Sequence, residues 1–183
     1  MRSLLYALLF AISCTCLADD AVIPGWQTTS PLWKSEKGGL VADIPAGEYA
    51  RIVTTSTYPK PDVSMEFRIG RWRGEKPGFA FYWGMKSDRG KQTYDRYQLV
   101  FEPNRIFVVR LMPDQPAKIL QSLGLSTPAG RWVRLALKYK SGKLFVAIGG
   151  KKQITLPLEQ ATVSGHLAFH TSVPVQIRKL KLP

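Results

Sequence analysis

Stretches of this chain alternate apolar and polar residues with a period of two, and such segments must be strands with one buried face. Val63, Met65, Phe67 and Ile69 alternate with Ser64, Glu66 and Arg68. Phe79, Phe81 and Trp83 alternate with Ala80, Tyr82 and Gly84, and Tyr97, Leu99 and Phe101 with Gln98 and Val100. Pro103-Asn104 then turns the chain into Phe107, Val109 and Leu111, read as the apolar row of the next strand. Trp132 to Tyr139 and Leu144 to Ile148 form a further pair joined by Lys140-Ser141-Gly142-Lys143. Leu167 and Phe169, then Val175, Ile177, Leu180 and Leu182, close the series. The step from Ile177 to Leu180 breaks the alternation and predicts a bulge near Arg178-Lys179. No helical period of useful length competes. Roughly ten strands in about 165 residues need two packed antiparallel sheets, so the chain is expected to be all-β.

The N-terminus reads as a leader. Arg2 precedes an apolar run from Leu4 to Ile12 and a small-residue end, Ser13-Cys14-Thr15-Cys16-Leu17-Ala18. The run is far shorter than the roughly 20 residues of a membrane span. Cleavage is expected after Ala18, making residues 1–18 a signal peptide and residues 19–183 one domain. The location is then periplasmic or secreted, without membrane insertion. Both cysteines fall in the leader, and Ala11 and Ser13, three positions before them, are poor lipidation signals. The exported domain therefore relies on its core rather than on disulfides. Its net charge is one unit below the full chain's +13. A basic surface of this kind attracts acidic glycans, nucleic acid being the less probable partner after export, or serves solubility alone.

The order of motifs carries a resemblance. Trp33 and Gly38-Gly39-Leu40 lead to Ile52-Val53-Thr54-Thr55-Ser56-Thr57-Tyr58, Met65-Glu66-Phe67-Arg68-Ile69, Gly78-Phe79-Ala80-Phe81 and Tyr97-Gln98-Leu99. Gly130-Arg131-Trp132-Val133-Arg134-Leu135, Gly165-His166-Leu167-Ala168-Phe169 and Val175 to Leu182 follow. The chain resembles the concanavalin A-like (laminin-G-like) jelly rolls, and within them is most similar to the bacterial 3-keto-disaccharide hydrolases. The resemblance implies a two-sheet antiparallel jelly-roll sandwich and an extracytoplasmic protein that works on sugars at a concave sheet. Glu66 and Arg68 match polar positions of that family. Tyr82, Gln98 and His170 stand where the family often carries Arg, Glu and Gln, and the lost carboxylate argues against hydrolysis.

Parity sends Glu66, Arg68, Tyr82, Gln98 and His170 to faces opposite the core, where truncation should cost binding rather than stability. Rings for apolar sugar faces and amide, carboxylate or guanidinium groups for hydroxyls are the mixture a sugar site needs. Trp72, between Arg71 and Arg73 in a loop, joins the candidate ligand-binding residues; the other reading is that it folds back to close the loop. Glycoside hydrolysis needs two carboxylates about 5 to 9.5 Å apart, and only Glu66 lies mid-strand. A lyase needs a base such as His or Tyr with Arg or Gln beside it, and Arg68, Tyr82, Gln98 and His170 are of those types. His166 and His170, about 13 Å apart along a strand, cannot share a metal, and no cofactor or metal is expected. The leading reading is an exported carbohydrate-binding, lectin-like protein, with an acidic glycan the ligand that its basic charge points to. A glycosidase or polysaccharide lyase on the same face, and a structural or adhesion module, are the alternatives. The leader reading predicts that the intact mass of the exported form begins at Asp19; a lipid adduct on Cys14 or Cys16 would overturn it.

Overall fold

The computed structural model describes residues 23–28, 30–74, 78–88, 91–92 and 96–183. The expected signal peptide lies outside them. The described chain is built almost wholly of strands: β1 (Trp26–Thr28), β2 (Trp33–Glu36), β3 (Gly39–Ala42), β4 (Ala50–Thr54), β5 (Val63–Ile69), β6 (Phe79–Met85), β7 (Ser87–Asp88) and β8 (Lys91–Gln92). Then come β9 (Arg96–Glu102), β10 (Arg105–Leu111), β11 (Lys118–Leu123), β12 (Trp132–Lys140), β13 (Lys143–Ile148), β14 (Lys151–Pro157), β15 (His166–Thr171) and β16 (Val175–Lys181). One short helix, α1 (Gln160–Val163), precedes β15.

Two antiparallel sheets of seven strands face each other. The first has the order β1-β4-β15-β6-β9-β10-β11, the second β14-β13-β12-β5-β16-β3-β2. The chain passes from sheet to sheet at β1–β2, β3–β4, β4–β5, β5–β6, β11–β12, β14–β15 and β15–β16, so neither sheet folds without the other. Short connections set the register. Ser141 and Gly142 both take left-handed backbone angles, φ 51° and 72°, in the two-residue turn joining Lys140 to Lys143.

The alternating rows meet in the middle. Phe67 of β5 reaches across to Phe79 and Phe101, with ring centroids 5.0 and 4.7 Å away. Phe79 and Phe81 then pack on Phe169 at 6.1 and 5.4 Å, and Trp33 of the second sheet also approaches Phe169, at 6.3 Å. All of these rings are fully buried. At the expected position Arg178 and Lys179 form a bulge: the β16–β5 register shifts there and Lys179 has φ 52°.

One strand was read in the wrong phase. In β10 the core-facing residues are Ile106 and Val108, while Phe107, Val109 and Leu111 lie on the other side. Five of the seven residues of β10 are apolar, so its sequence alone fits either face. The pairing of Val108 with core-facing Leu99, and of Val109 with Gln98, decides between them.

The interlock predicts a sharp contrast on denaturation. Phe67→Ala should cost about 3 to 5 kcal/mol in urea unfolding through the cavity it leaves. Lys138→Ala, on the exposed side of β12, should stay within about 0.5 kcal/mol of the parent.

Candidate functional site

The outward side of the first sheet is not an ordinary wet surface. Cross-strand pairing sets Ala168 beside Tyr82 and Tyr82 beside Gln98, and Gln98 beside Val109. The next rung runs from Arg51 through His170 and Ala80 to Val100. None of these side chains points into the main core, yet Tyr82 is only 4% and Gln98 9% exposed. Ala80, Tyr82, Val100, Val109 and Ala168 form a second apolar cluster, edged by Val53, Met85, Phe107 and Leu111. The two alanines at its centre are themselves fully buried, and the larger side chains around them close over this strip, the trough of the first sheet.

Rings and cations line this trough. His170 stacks under Tyr49, centroids 5.4 Å apart and planes 14° apart, and meets Tyr82 at 5.9 Å. The Arg96 guanidinium lies 5.2 Å over the Tyr82 ring. Tyr49 is 69% exposed, one of two large apolar side chains that stand clear of the described surface. Burial raises the Tyr82 phenol above its ordinary pKa, against the opposing pull of Arg96 and Arg51. Burial, aided by Arg51 and Arg96, lowers the His170 imidazole to about 4, so it is neutral at pH 7.

The expected site divides. Tyr82, Gln98 and His170 come together as read from the sequence, with Arg51, Arg96 and Tyr49 added. Glu66 and Arg68 do not join them. Both lie on β5, in the second sheet, and face out on the opposite side of the sandwich. Parity was right for the strands that carry these five residues, but parity does not say to which sheet a strand belongs. The Glu66 carboxylate is already occupied, with Arg178 Nε at 2.8 Å, Lys179 Nζ at 3.0 Å and Arg134 at 3.7 Å. Hydrogen bonds from Lys179 and Arg178 hold it below the usual carboxylate range. Arg68 donates to Gln176 at 2.5 Å and lies 5.1 Å from the Trp132 ring centroid.

Trp72 is also withdrawn from the set. Its indole N–H donates to the Thr127 carbonyl at 2.7 Å, and its ring packs on the main core over Gly78, where a Cβ would collide with it. The loop is closed by this residue, the other of the two readings. The expectation that truncating Tyr82 would spare stability also fails, because its outward face is covered.

Missed by sequence reasoning were Tyr49, in a loop with no period, and Arg51 and Arg96, which read as ordinary solvated charges. Among the described residues no three His, Cys, Asp or Glu side chains converge as metal ligands. Among the described residues no carboxylate pair forms on the trough either: Glu102 shares its face but is bound to Arg105 at 3.0 Å.

This two-sheet architecture is the concanavalin A-like jelly roll, as the solved structures that share it make plain. The carbohydrate binding module CBM66 from Bacillus subtilis superposes with a TM-score of 0.63 at 10% identity, over 85% of this chain and 93% of that one. The Emp47p carbohydrate recognition domain gives 0.67 at 16% identity, over 89% and 90%. The β-glucanase of Bacillus licheniformis gives 0.63 at 9% identity, over 86% and 91%. At these identities the likeness is one of fold. No protein-family model and no curated protein matches the sequence.

The neutral imidazole predicts a pH dependence. Between about 6.5 and about 4 the unfolded chain takes up a proton at His170 and the folded chain does not, so stability should fall as pH falls through that window and level off below it. The loss from this group should be of the order of 3 kcal/mol. Urea unfolding at stepped pH should show it, and His170→Gln should flatten it.

Proposed function

We propose that this chain is an exported carbohydrate-binding protein that takes a glycan in the trough on the outer side of the first sheet. The observation that carries the reading is the exposed Tyr49 ring stacked on His170, with the tilted Tyr82 ring and the Gln98 amide beside them on one face. Rings offer flat apolar surfaces to the C–H face of a sugar, and an amide both donates to and accepts from hydroxyls. The leader read from the sequence supports a location where glycans are met, and the fold is shared with proteins named for carbohydrate binding. Arg51 and Arg96, whose positive fields reach His170 and Tyr82, favour a sugar bearing a carboxylate.

One observation favours a second reading. His170 is unprotonated at neutral pH and lies beside a tyrosine and two arginines, the group types that proton abstraction next to a uronate carboxylate requires. A glycan array followed by product analysis separates the readings. Binding with unchanged glycan supports the lectin, unsaturated ends support a lyase, and binding to no glycan defeats both.

The site makes its own prediction. Tyr49→Ala should weaken binding to the array hits by about 1 to 3 kcal/mol, with stability within about 0.5 kcal/mol of the parent because the ring is exposed. Undiminished binding in isothermal titration would place the sugar elsewhere.

A further inference from the structure

The outer side of the second sheet has the opposite character. Its outward positions include Lys34 on β2, Arg68 on β5, Arg134 and Lys138 on β12, and Arg178, Lys179 and Lys181 on β16. On the same strands Glu36 and Glu66 are the outward acids. The β16 bulge concentrates this charge. It sets Arg178 and Lys179 side by side against Glu66, while Arg134 approaches from β12. A single carboxylate thus holds three cations in fixed positions without neutralising them. Their side chains remain 46%, 63% and 69% exposed for Arg178, Lys179 and Arg134, against 11% for Glu66. Lys138 and Lys181 extend the row. Toward β2 the row gives way to a groove of about 510 Å³ whose lining is of mixed charge, Lys34 and Arg68 with Glu36 and Asp43.

We infer that this face is a second docking surface, separate from the trough, for a linear acidic polysaccharide. In the paired register Arg134 and Arg178 flank Glu66 two strand pitches apart, about 10 Å, and Arg134 and Lys138 lie about 13 Å apart along β12, an array that a linear chain with an anion on each sugar can follow. Prepaired cations lose little freedom when such an anion arrives. Two other polyanions fit less well. The large exposed apolar side chains of the described surface are Tyr49 and Ile119, neither on this face, so it offers no wedge to a lipid bilayer. The Trp132 ring, on which a base would stack, is taken by the guanidiniums of Arg68 at 5.1 Å and Arg178 at 3.9 Å.

The test titrates the purified protein with polygalacturonate, with neutral dextran, and with vesicles containing phosphatidylglycerol. Polygalacturonate should bind and dextran should not. Affinity should fall at least tenfold between about 0.05 and about 0.5 M salt. Arg134→Ala/Lys138→Ala/Lys179→Ala, with folding checked by circular dichroism, should lose at least tenfold at low salt, and Lys138→Ala alone about twofold. The triple variant made in a Tyr49→Ala background should show the same tenfold loss, so failure here is distinguishable from failure of the trough. Polygalacturonate binding that ignores both basic-face variants, or vesicle binding without polysaccharide binding, would overturn the inference.

Discussion

Everything in this molecule hangs on the meeting of Phe67 with Phe79 and Phe101 between the sheets. Neither sheet can bury its apolar rows alone, and the chain crosses repeatedly from one sheet to the other. The aromatic interlock therefore does more than fill space. It fixes which side of each sheet is inward, and so which side chains are left to face outward. With no cysteine after Ala18, burial of these rings must supply what disulfides supply in small disulfide-stapled domains.

Two outer faces of unlike chemistry follow from that single constraint. The first sheet turns out Tyr82, His170 and Gln98 around alanines and becomes a recessed, ring-lined trough. The second turns out lysines and arginines around Glu66 and becomes an exposed cationic lattice. A sandwich about 10 Å thick between its sheets keeps the two apart, so each can change without unpacking the other. Each face also answers to pH in its own way. His170 is kept neutral by burial with help from arginines, whereas Glu66 is kept ionised by the cations that surround it.

Much of the site was legible. Gln98, Tyr82 and His170 were identified by their place between core-facing neighbours, and the structure sets all three on one face. Trp72 was not, because a tryptophan between two arginines has the same pattern whether it stacks on a ligand or on its own loop. Only the Thr127 carbonyl, 55 residues away in sequence, resolves it. Tyr49 was invisible for a related reason: its meaning comes from the ring of His170 beneath it, and no local period announces such a partner.

The sequence by itself determined the alternation, and with it the strand content, the Arg178-Lys179 bulge and the inward or outward sense of most residues. These follow from a two-residue period that is a property of one strand. The tertiary structure decided which strands share a sheet, and thereby separated Glu66 and Arg68 from Tyr82, Gln98 and His170. It also decided the phase of β10, where apolar residues on both sides left local preference balanced. Sheet membership and phase rest on hydrogen bonds and contacts between segments distant in the chain, and a period read along one segment contains no information about its neighbour.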